Sequence, residues 1–436
     1  MAAFDVDGLA VAAVSGDEVL TLDPGNANAA TMVGKIEKAA GFSPASCEIG
    51  LYGMSTPFVV VTSRDDNYRY SFSDGRRGDI AGDGDVECGN NAVRVSGKQI
   101  LKRQAVSVTD TQFVSNGVTL VGQLLEPADA NAETALVVLA HGSEPLGWIG
   151  AVAYPYHFVG RGVSVFVYDK RGTGRSGGEY SQNFPELSDD LVAASGEAKR
   201  LARDRFGRFG LFGFSQGGWI APMAAQRAEA DFIGIGYGLV VDILEEDASQ
   251  VALELREAGY GDEVIQKAKE ITDITARLAV SGYTDGLEDL DDVRRRYGSE
   301  PWFPIIRGGF TGVILGLPTT QLRNEGIPMF DRLRVDWSIK PMEVLRTVEV
   351  PQLWVLAADD REAPVATTLD RIRILRGEGK DISIVMYPDT DHGMREFVQS
   401  EDGTREYTRV VDTFYDLIAD WAKGLLDENY AESVRL

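Results

Sequence analysis

The residues best suited to chemistry form the run Gly213-Phe214-Ser215-Gln216-Gly217-Gly218, which follows the apolar stretch Phe209-Gly210-Leu211-Phe212. A serine hydroxyl is a weak nucleophile until a turn exposes it and a base removes its proton. A strand that breaks sharply into a helix does the exposing. Glycines two before and two after the serine let the backbone pass that turn without a Cβ clash. The helical side follows in Trp219-Ile220-Ala221-Pro222-Met223-Ala224-Ala225, whose small residues suit packing on a sheet. With 48 glycines in the chain, the bare pattern arises easily by chance, and the strand-then-helix context is what gives it weight. A base is available: of the three histidines, His141, His157 and His392, only His392 follows both the last core strand and a pair of carboxylates, Asp359 and Asp360. In such an arrangement the histidine takes the serine proton, and an aspartate orients the ring and stabilises its charge. Asp389 and Asp391 lie too near His392 in sequence for an easy geometry of that kind.

These residues need strands to hold them. From about residue 110 apolar runs alternate with helical patterns, which predicts a mostly parallel sheet. The buried-strand candidates are Ala135–Ala140, Val163–Tyr168, Phe209–Phe214, Phe232–Tyr237, Gln352–Ala357 and Ile382–Tyr387, after an antiparallel opening pair within Thr111–Leu125. Open α/β sheets bind ligands beyond the carboxyl ends of their strands, and five of these six ends run into polar motifs. They lead into His141-Gly142-Ser143, the segment Asp169 to Gly178, Ser215, the segment Ala358 to Pro364, and the segment Pro388 to Met394.

Taken together, His-Gly-x, Asp-x-Arg-Gly-x-Gly-x-Ser, Gly-x-Ser-x-Gly, Asp-x-x-x-Pro and a late His-Gly resemble the α/β-hydrolase superfamily over about residues 110–430. The likeness is strongest to bacterial carboxylesterases and to the prolyl-oligopeptidase-like and dienelactone-hydrolase-like branches. The resemblance implies an α/β-hydrolase fold, a mostly parallel central sheet flanked by helices, and the chain order nucleophile, acid, histidine. It selects Asp360, four residues before Pro364, as the acid beside Ser215 and His392. It also implies an oxyanion hole made by the backbone N–H groups of Ser143 and Gln216. Asp169, Arg171 and Gly172 would form a structural turn beside the site, with Arg171 holding loops by ion pairing. His141 would be structural, and His157 would pack on or near a helix. No cofactor and no metal is implied. A serine nucleophile departs from the aspartate-nucleophile dehalogenases and epoxide hydrolases of the same superfamily.

The expected organisation is a small β-rich domain over 1–108, a catalytic core over 109–240 and 346–436, and a helical cap over 241–345. Residues 29–40 read as a helix within the first part. In the insertion Val264, Ala268, Ile271, Ile274 or Thr275, and Leu278 share one helical face behind Asp262 as N-cap. Trp302 and Phe310 there, with Trp148 after the oxyanion turn, are candidates to line a substrate pocket; the insertion's aromatic residues equally suit the cap's own core. The Asp83-to-Glu87 cluster lacks calcium-loop spacing and reads as a solvated loop.

Composition narrows the partners. A balance of 43 basic to 67 acidic residues, net −24, disfavours nucleic acid and anionic membranes, and no apolar run is long enough to span a bilayer. The first residues lack the basic and apolar regions of a signal peptide. That reading leaves a cytoplasmic protein, or an exported one whose signal has been trimmed. Cys47 and Cys88 fit one disulfide or two buried thiols equally well. The expected function is a serine esterase acting on a small-molecule ester through an acyl-enzyme. An amidase or prolyl-oligopeptidase-like peptidase, an acyl-CoA thioesterase and a non-catalytic ligand-binding homologue are the alternatives. Residues 1–108 could serve as a cap partner, a homodimer interface or a polymer-binding module.

Overall fold

Uninterrupted apolar runs need cover on both faces, and the strands of the main sheet obtain it. In chain order they are β1 (Val106–Ser115), β2 (Val118–Pro127), β3 (Leu136–Ala140), β4 (Ser164–Tyr168), β5 (Phe209–Phe214), β6 (Phe232–Gly236), β7 (Gln352–Ala357), β8 (Ile382–Tyr387) and β9 (Val434–Arg435). Every residue of β3, β4, β5, β6 and β7 is buried. The spatial order is β1-β2-β4-β3-β5-β6-β7-β8-β9. Strands β3 to β8 are mutually parallel, while β1, β2 and β9 pair antiparallel at the edges. The mostly parallel sheet expected from the sequence is present, with an opening hairpin longer than Thr111–Leu125. In this computed structural model the described residues are 47–436 except 54–55, 81–83, 331–333, 401–402, 427–429 and 431–432, plus three short strands, Ala2–Phe4, Ala10–Ala13 and Val19–Leu22. The helix expected over 29–40 lies outside the described residues.

Strands β5 and β6 show how composition sets packing. A Cβ at Gly210 would lie 2.3 Å from the Phe232 ring, and one at Gly234 would lie 2.1 Å from the Phe212 ring. Each phenyl therefore sits over the neighbouring strand's glycine, and each fully buried ring contributes about 1.5–3 kcal/mol. Helices α1 (Tyr154–Val159), α2 (Phe184–Ala202) and α3 (Gly217–Ala225) follow β3, β4 and β5. The insertion after β6 contains α4 (Ile243–Glu257), α5 (Asp262–Val280), α6 (Leu287–Tyr297), α7 (Thr311–Gly316) and α8 (Thr319–Phe330). The chain then returns through α9 (Pro341–Thr347), α10 (Val365–Gly377) and α11 (Phe414–Lys423). One face of the sheet packs against α2, α3, α9 and α10, the other against α1 and α11.

The cap has its own apolar centre, including Ile271, Leu278, Leu290, Trp302 and Ile314. Of the predicted α5 face, Ala268, Ile271, Ile274, Thr275 and Leu278 are buried. Its N-cap is Gly261; Asp262 is the first helical residue, where its charge favours the helix dipole instead of capping an N–H. Helix α4 begins with a capping box formed by Asp242 and Glu245. Glu245 also binds Arg371 of α10 at 2.6 Å, and Glu257 pairs with Arg361 at 2.8 Å and Arg405 at 3.3 Å. These pairs hold the cap down on the core.

Ahead of β1 lie a four-stranded sheet (Gly50–Tyr52, Val59–Arg64, Asn67–Phe72, Arg77–Asp79) and a three-stranded one (Val86–Gly89, Ala92–Val95, Gln99–Lys102), all antiparallel. Cys47 and Cys88 form a disulfide, which decides between the two cysteine readings. The layer rests on α1 and α11. His157 stacks on Tyr415 with centroids 3.6 Å apart and shares a hydrogen bond of 2.8 Å with Ser71, and Arg161 donates to the Ser73 carbonyl at 2.8 Å. Leu51, Phe58 and Val60 join the core cluster of that face. Among the described residues no helix is long and apolar enough to cross a membrane.

Candidate active site

Ser215 stands between β5 and α3 with φ of 52°, a left-handed conformation that a non-glycine residue adopts at a cost of about 1–3 kcal/mol. The surroundings dictate why glycines flank it. A Cβ on Gly213 would lie 2.1 Å from the Gly217 carbonyl oxygen, and one on Gly217 would lie 2.5 Å from that of Ala140. The turn is thus pressed into the end of β3, which brings the His141-Gly142-Ser143 loop against the serine.

The Ser215 Oγ lies 3.0 Å from His392 Nε2, and His392 Nδ1 lies 2.9 Å from Asp360 Oδ2. Asp360 is 2% exposed, and its Oδ1 accepts the backbone N–H groups of Glu362 and Ala363 at 3.0 and 2.7 Å. Asp359, by contrast, is exposed on the rim of that turn. Asp391 aims away from the imidazole: it accepts the N–H of Arg361 at 2.9 Å, the N–H of His392 at 2.7 Å and the Tyr407 hydroxyl at 2.7 Å, and it pairs with Arg405 at 2.6 Å. It therefore ties the acid turn to the histidine loop.

Burial of His392 lowers its pKa, but the charge and hydrogen bond of Asp360 outweigh it, with Glu362 and Glu246 adding to the rise, to about 9. Glu362 Oε2 lies 3.6 Å from Nε2. Glu246, in the first turn of α4, is pushed up to about 8 by burial, against the pull of His392, with Asp360, Asp247 and Glu362 raising it further. The cap thus brings a carboxyl into the electrostatic field of the histidine.

Sequence reasoning assigned no role to Glu144, Lys170 or Tyr180, yet all three fasten the loop beside Ser215. Lys170 donates to the Gly142 carbonyl at 2.8 Å, and the Tyr180 hydroxyl donates to the Ser143 carbonyl. Burial brings the Lys170 amine down to about 8, with Glu144 opposing. A Cβ on Gly142 would meet the Glu144 carboxylate at 2.5 Å and would stand 3.7 Å from Ser215 Cβ, so that carboxylate borders the serine. The signal available in the sequence was position alone: all three belong to segments that leave β3 or β4 at their carboxyl ends. Among the described residues the backbone N–H groups of Ser143 and Gln216 donate to no backbone carbonyl.

Trp148 is buried, stacks on His141 at 4.3 Å and donates to Glu144, so it backs the loop. Trp302 and Phe310 are placed otherwise. Trp302 packs with Tyr297 and Phe303, and Phe310 with Trp337, inside the cap's apolar cluster. Arg171 makes two bonds to Asp190, at 2.7 and 2.6 Å, and one to Glu186, inside the protein. A cavity of about 750 Å³ lies between α4, α5 and the acid turn; among the described residues it reaches Asp359 and Asp360 but is lined by neither Ser215 nor His392.

Residues 131–236, which include Ser215, match the family described as serine aminopeptidase, S33. No curated protein matches the chain significantly. Among solved structures, an esterase of Pyrococcus furiosus aligns at 13% identity over 66% of this chain and 84% of its own, with a TM-score of 0.42. The acylaminoacyl peptidase of Pyrococcus horikoshii aligns at 15% identity over 88% of this chain and 51% of its own, with a TM-score of 0.45. Est1E of Butyrivibrio proteoclasticus, solved with ferulic acid bound, aligns at 15% identity over 72% and 96%, with a TM-score of 0.41. The sheet order is that of an α/β-hydrolase fold, and the family match falls within it.

Proposed function

We propose that the protein is a serine hydrolase that cleaves carboxylic esters through an acyl-enzyme. The observation that carries this reading is the continuous hydrogen-bonded line from Ser215 Oγ through the His392 ring to Asp360. Ser215 attacks the acyl carbon while His392 Nε2 takes its proton, and Asp360 stabilises the imidazolium that forms. The oxyanion lies against the N–H groups of Gln216 and Ser143. The tetrahedral intermediate collapses as His392 returns the proton to the departing alcohol. Water then repeats the sequence on the acyl-enzyme and releases the acid.

A second reading, hydrolysis of amides or peptides at a free amino end, is favoured by the family match and by the carboxyls of Glu144 and Glu362 near the serine and histidine. Such groups would attract an ammonium ion next to the scissile bond. The two readings share the same machinery and differ in the leaving group.

The test is labelling with a fluorophosphonate, mapping of the adduct, and turnover of nitrophenyl esters beside aminoacyl-naphthylamides. The adduct is expected on Ser215, with at least a 10⁴-fold loss in Ser215→Ala and faster turnover of the esters. An adduct elsewhere, or full ester turnover by the alanine variant, would sink both readings. Faster turnover of the naphthylamides would replace the first by the second.

A further inference from the structure

On the far side of the aromatic residues behind Ser215, a second cavity of about 400 Å³ opens between the β-rich layer and the core. That volume falls within the roughly 300–1,000 Å³ of small-molecule sites. Its charge runs against the rest of the molecule. The chain carries 67 acidic residues to 43 basic ones, yet Arg64, Arg69 and Arg77 line this cavity, with Asp79 as the one carboxylate among the described lining residues. Asp79 is engaged by Arg69 at 3.0 Å. Among the described residues Arg64 has only its sequence neighbour Asp65 as an ion-pair partner, at 3.7 Å. Among the described residues Arg77 has no carboxylate within ion-pair distance, although its charge acts on the phenols of both Tyr154 and Tyr415. Hydroxyls of Thr62, Ser71 and Tyr154 complete the wall. Guanidinium groups are planar forks that match carboxylate and phosphate oxygens, and hydroxyls add adaptable donors.

We propose that this interdomain cavity is a binding site for a small oxyanion, a phosphate ester or a polycarboxylate, held by Arg77, Arg64 and Arg69. Its floor is joined to the reacting groups. The Tyr154 hydroxyl lies 2.8 Å from that of Tyr237, whose ring meets the His392 ring edge-on at 4.9 Å. The Tyr154 ring also stacks at 4.4 Å on Phe214, the residue before Ser215. An occupant resting on Tyr154 therefore touches a side chain one contact from the serine strand and two from the histidine.

The test begins without catalysis, so its failure is distinct from failure of the hydrolase reading. Citrate and inorganic phosphate are titrated calorimetrically into the full chain at an ionic strength held constant with sodium chloride. Arg77→Gln and the double variant Arg64→Gln/Arg77→Gln are compared with Arg295→Gln, an exposed cap arginine of equal charge. Both cavity arginines are exposed, so the unliganded melting temperatures should match the parent protein's. Citrate affinity should fall about tenfold in the single variant and further in the double one, and stay unchanged in Arg295→Gln. Equal binding by all the proteins, or an equal loss in Arg295→Gln, overturns the site. Turnover then identifies the source of the anion. A citrate-dependent rate on neutral nitrophenyl butyrate that vanishes in Arg77→Gln marks a free anion acting as effector. A rise in KM confined to an ester bearing its own carboxylate marks the substrate's anionic end.

Discussion

Removing a carboxylate from the active site should make this protein faster at neutral pH. A general base works only when unprotonated, and with His392 raised to about 9 only about 1% of the ring is free at pH 7. Glu362 is part of the cause, because its Oε2 lies 3.6 Å from Nε2 and favours the charged ring. Its side chain is 62% exposed, so a water-like dielectric applies to the pair. At that distance Coulomb attraction in water amounts to about 1 kcal/mol, or roughly 0.8 in pKa. The sign follows directly: deleting a negative neighbour lowers the imidazole pKa. In Glu362→Gln the rising limb of kcat/KM against pH should move down by about that much, and the rate at pH 7 should rise about sixfold. The alkaline plateau should change little. The assay is nitrophenyl butyrate hydrolysis from pH 6 to 10 at fixed ionic strength, corrected for spontaneous hydrolysis, and repeated at 1 M salt, where the difference should shrink. A parent limb already near 6.5, or one that does not move in the variant, would refute the electrostatic reasoning.

Lys170→Met frees the Gly142 carbonyl from its 2.8 Å tether; kcat should fall roughly 10- to 100-fold while KM changes little, and an unchanged kcat would remove Lys170 as a positioning residue. Gly213→Ala forces a methyl to within 2.1 Å of backbone, so urea unfolding should show a loss of about 3 kcal/mol or more. Gly196→Ala, on an open face of α2 with nothing nearby, should instead stabilise by about 0.5–1 kcal/mol.

The middle of the sheet was legible because β3 to β7 are short apolar runs buried on both faces, a pattern that needs no knowledge of neighbours. The grouping of Ser215, Asp360 and His392 was legible for a related reason: parallel strands deliver their carboxyl ends to one edge, so residues 177 apart in the chain can be placed together from topology. What escaped is what depends on side-chain reach. Lys170 could point anywhere from its loop until the Gly142 carbonyl receives it, and Glu246 enters the field of His392 from α4, which the Glu245–Arg371 pair helps to hold. Apolar periodicity in the cap signals burial but not which surface does the burying, so Trp302 and Phe310 could not be told from pocket walls. The 86-residue separation of Ser71 and His157 hid the seam between the β-rich layer and the core.

That seam and the cap differ in what they would allow a protein engineer to exchange. The cap encloses its own apolar centre, leaves the sheet after β6 and returns before β7, and is held mainly by carboxylate–arginine pairs. It is a cassette: a different cap grafted at the same two crossings would inherit the serine turn and the histidine loop intact. The β-rich layer is no cassette. Phe58 and Val60 complete the apolar cluster of the core, and the buried ring of His157 has its hydrogen-bond partner in Ser71. Exchange of the cap should therefore leave the core standing, whereas the β-rich layer has to change together with the core it covers.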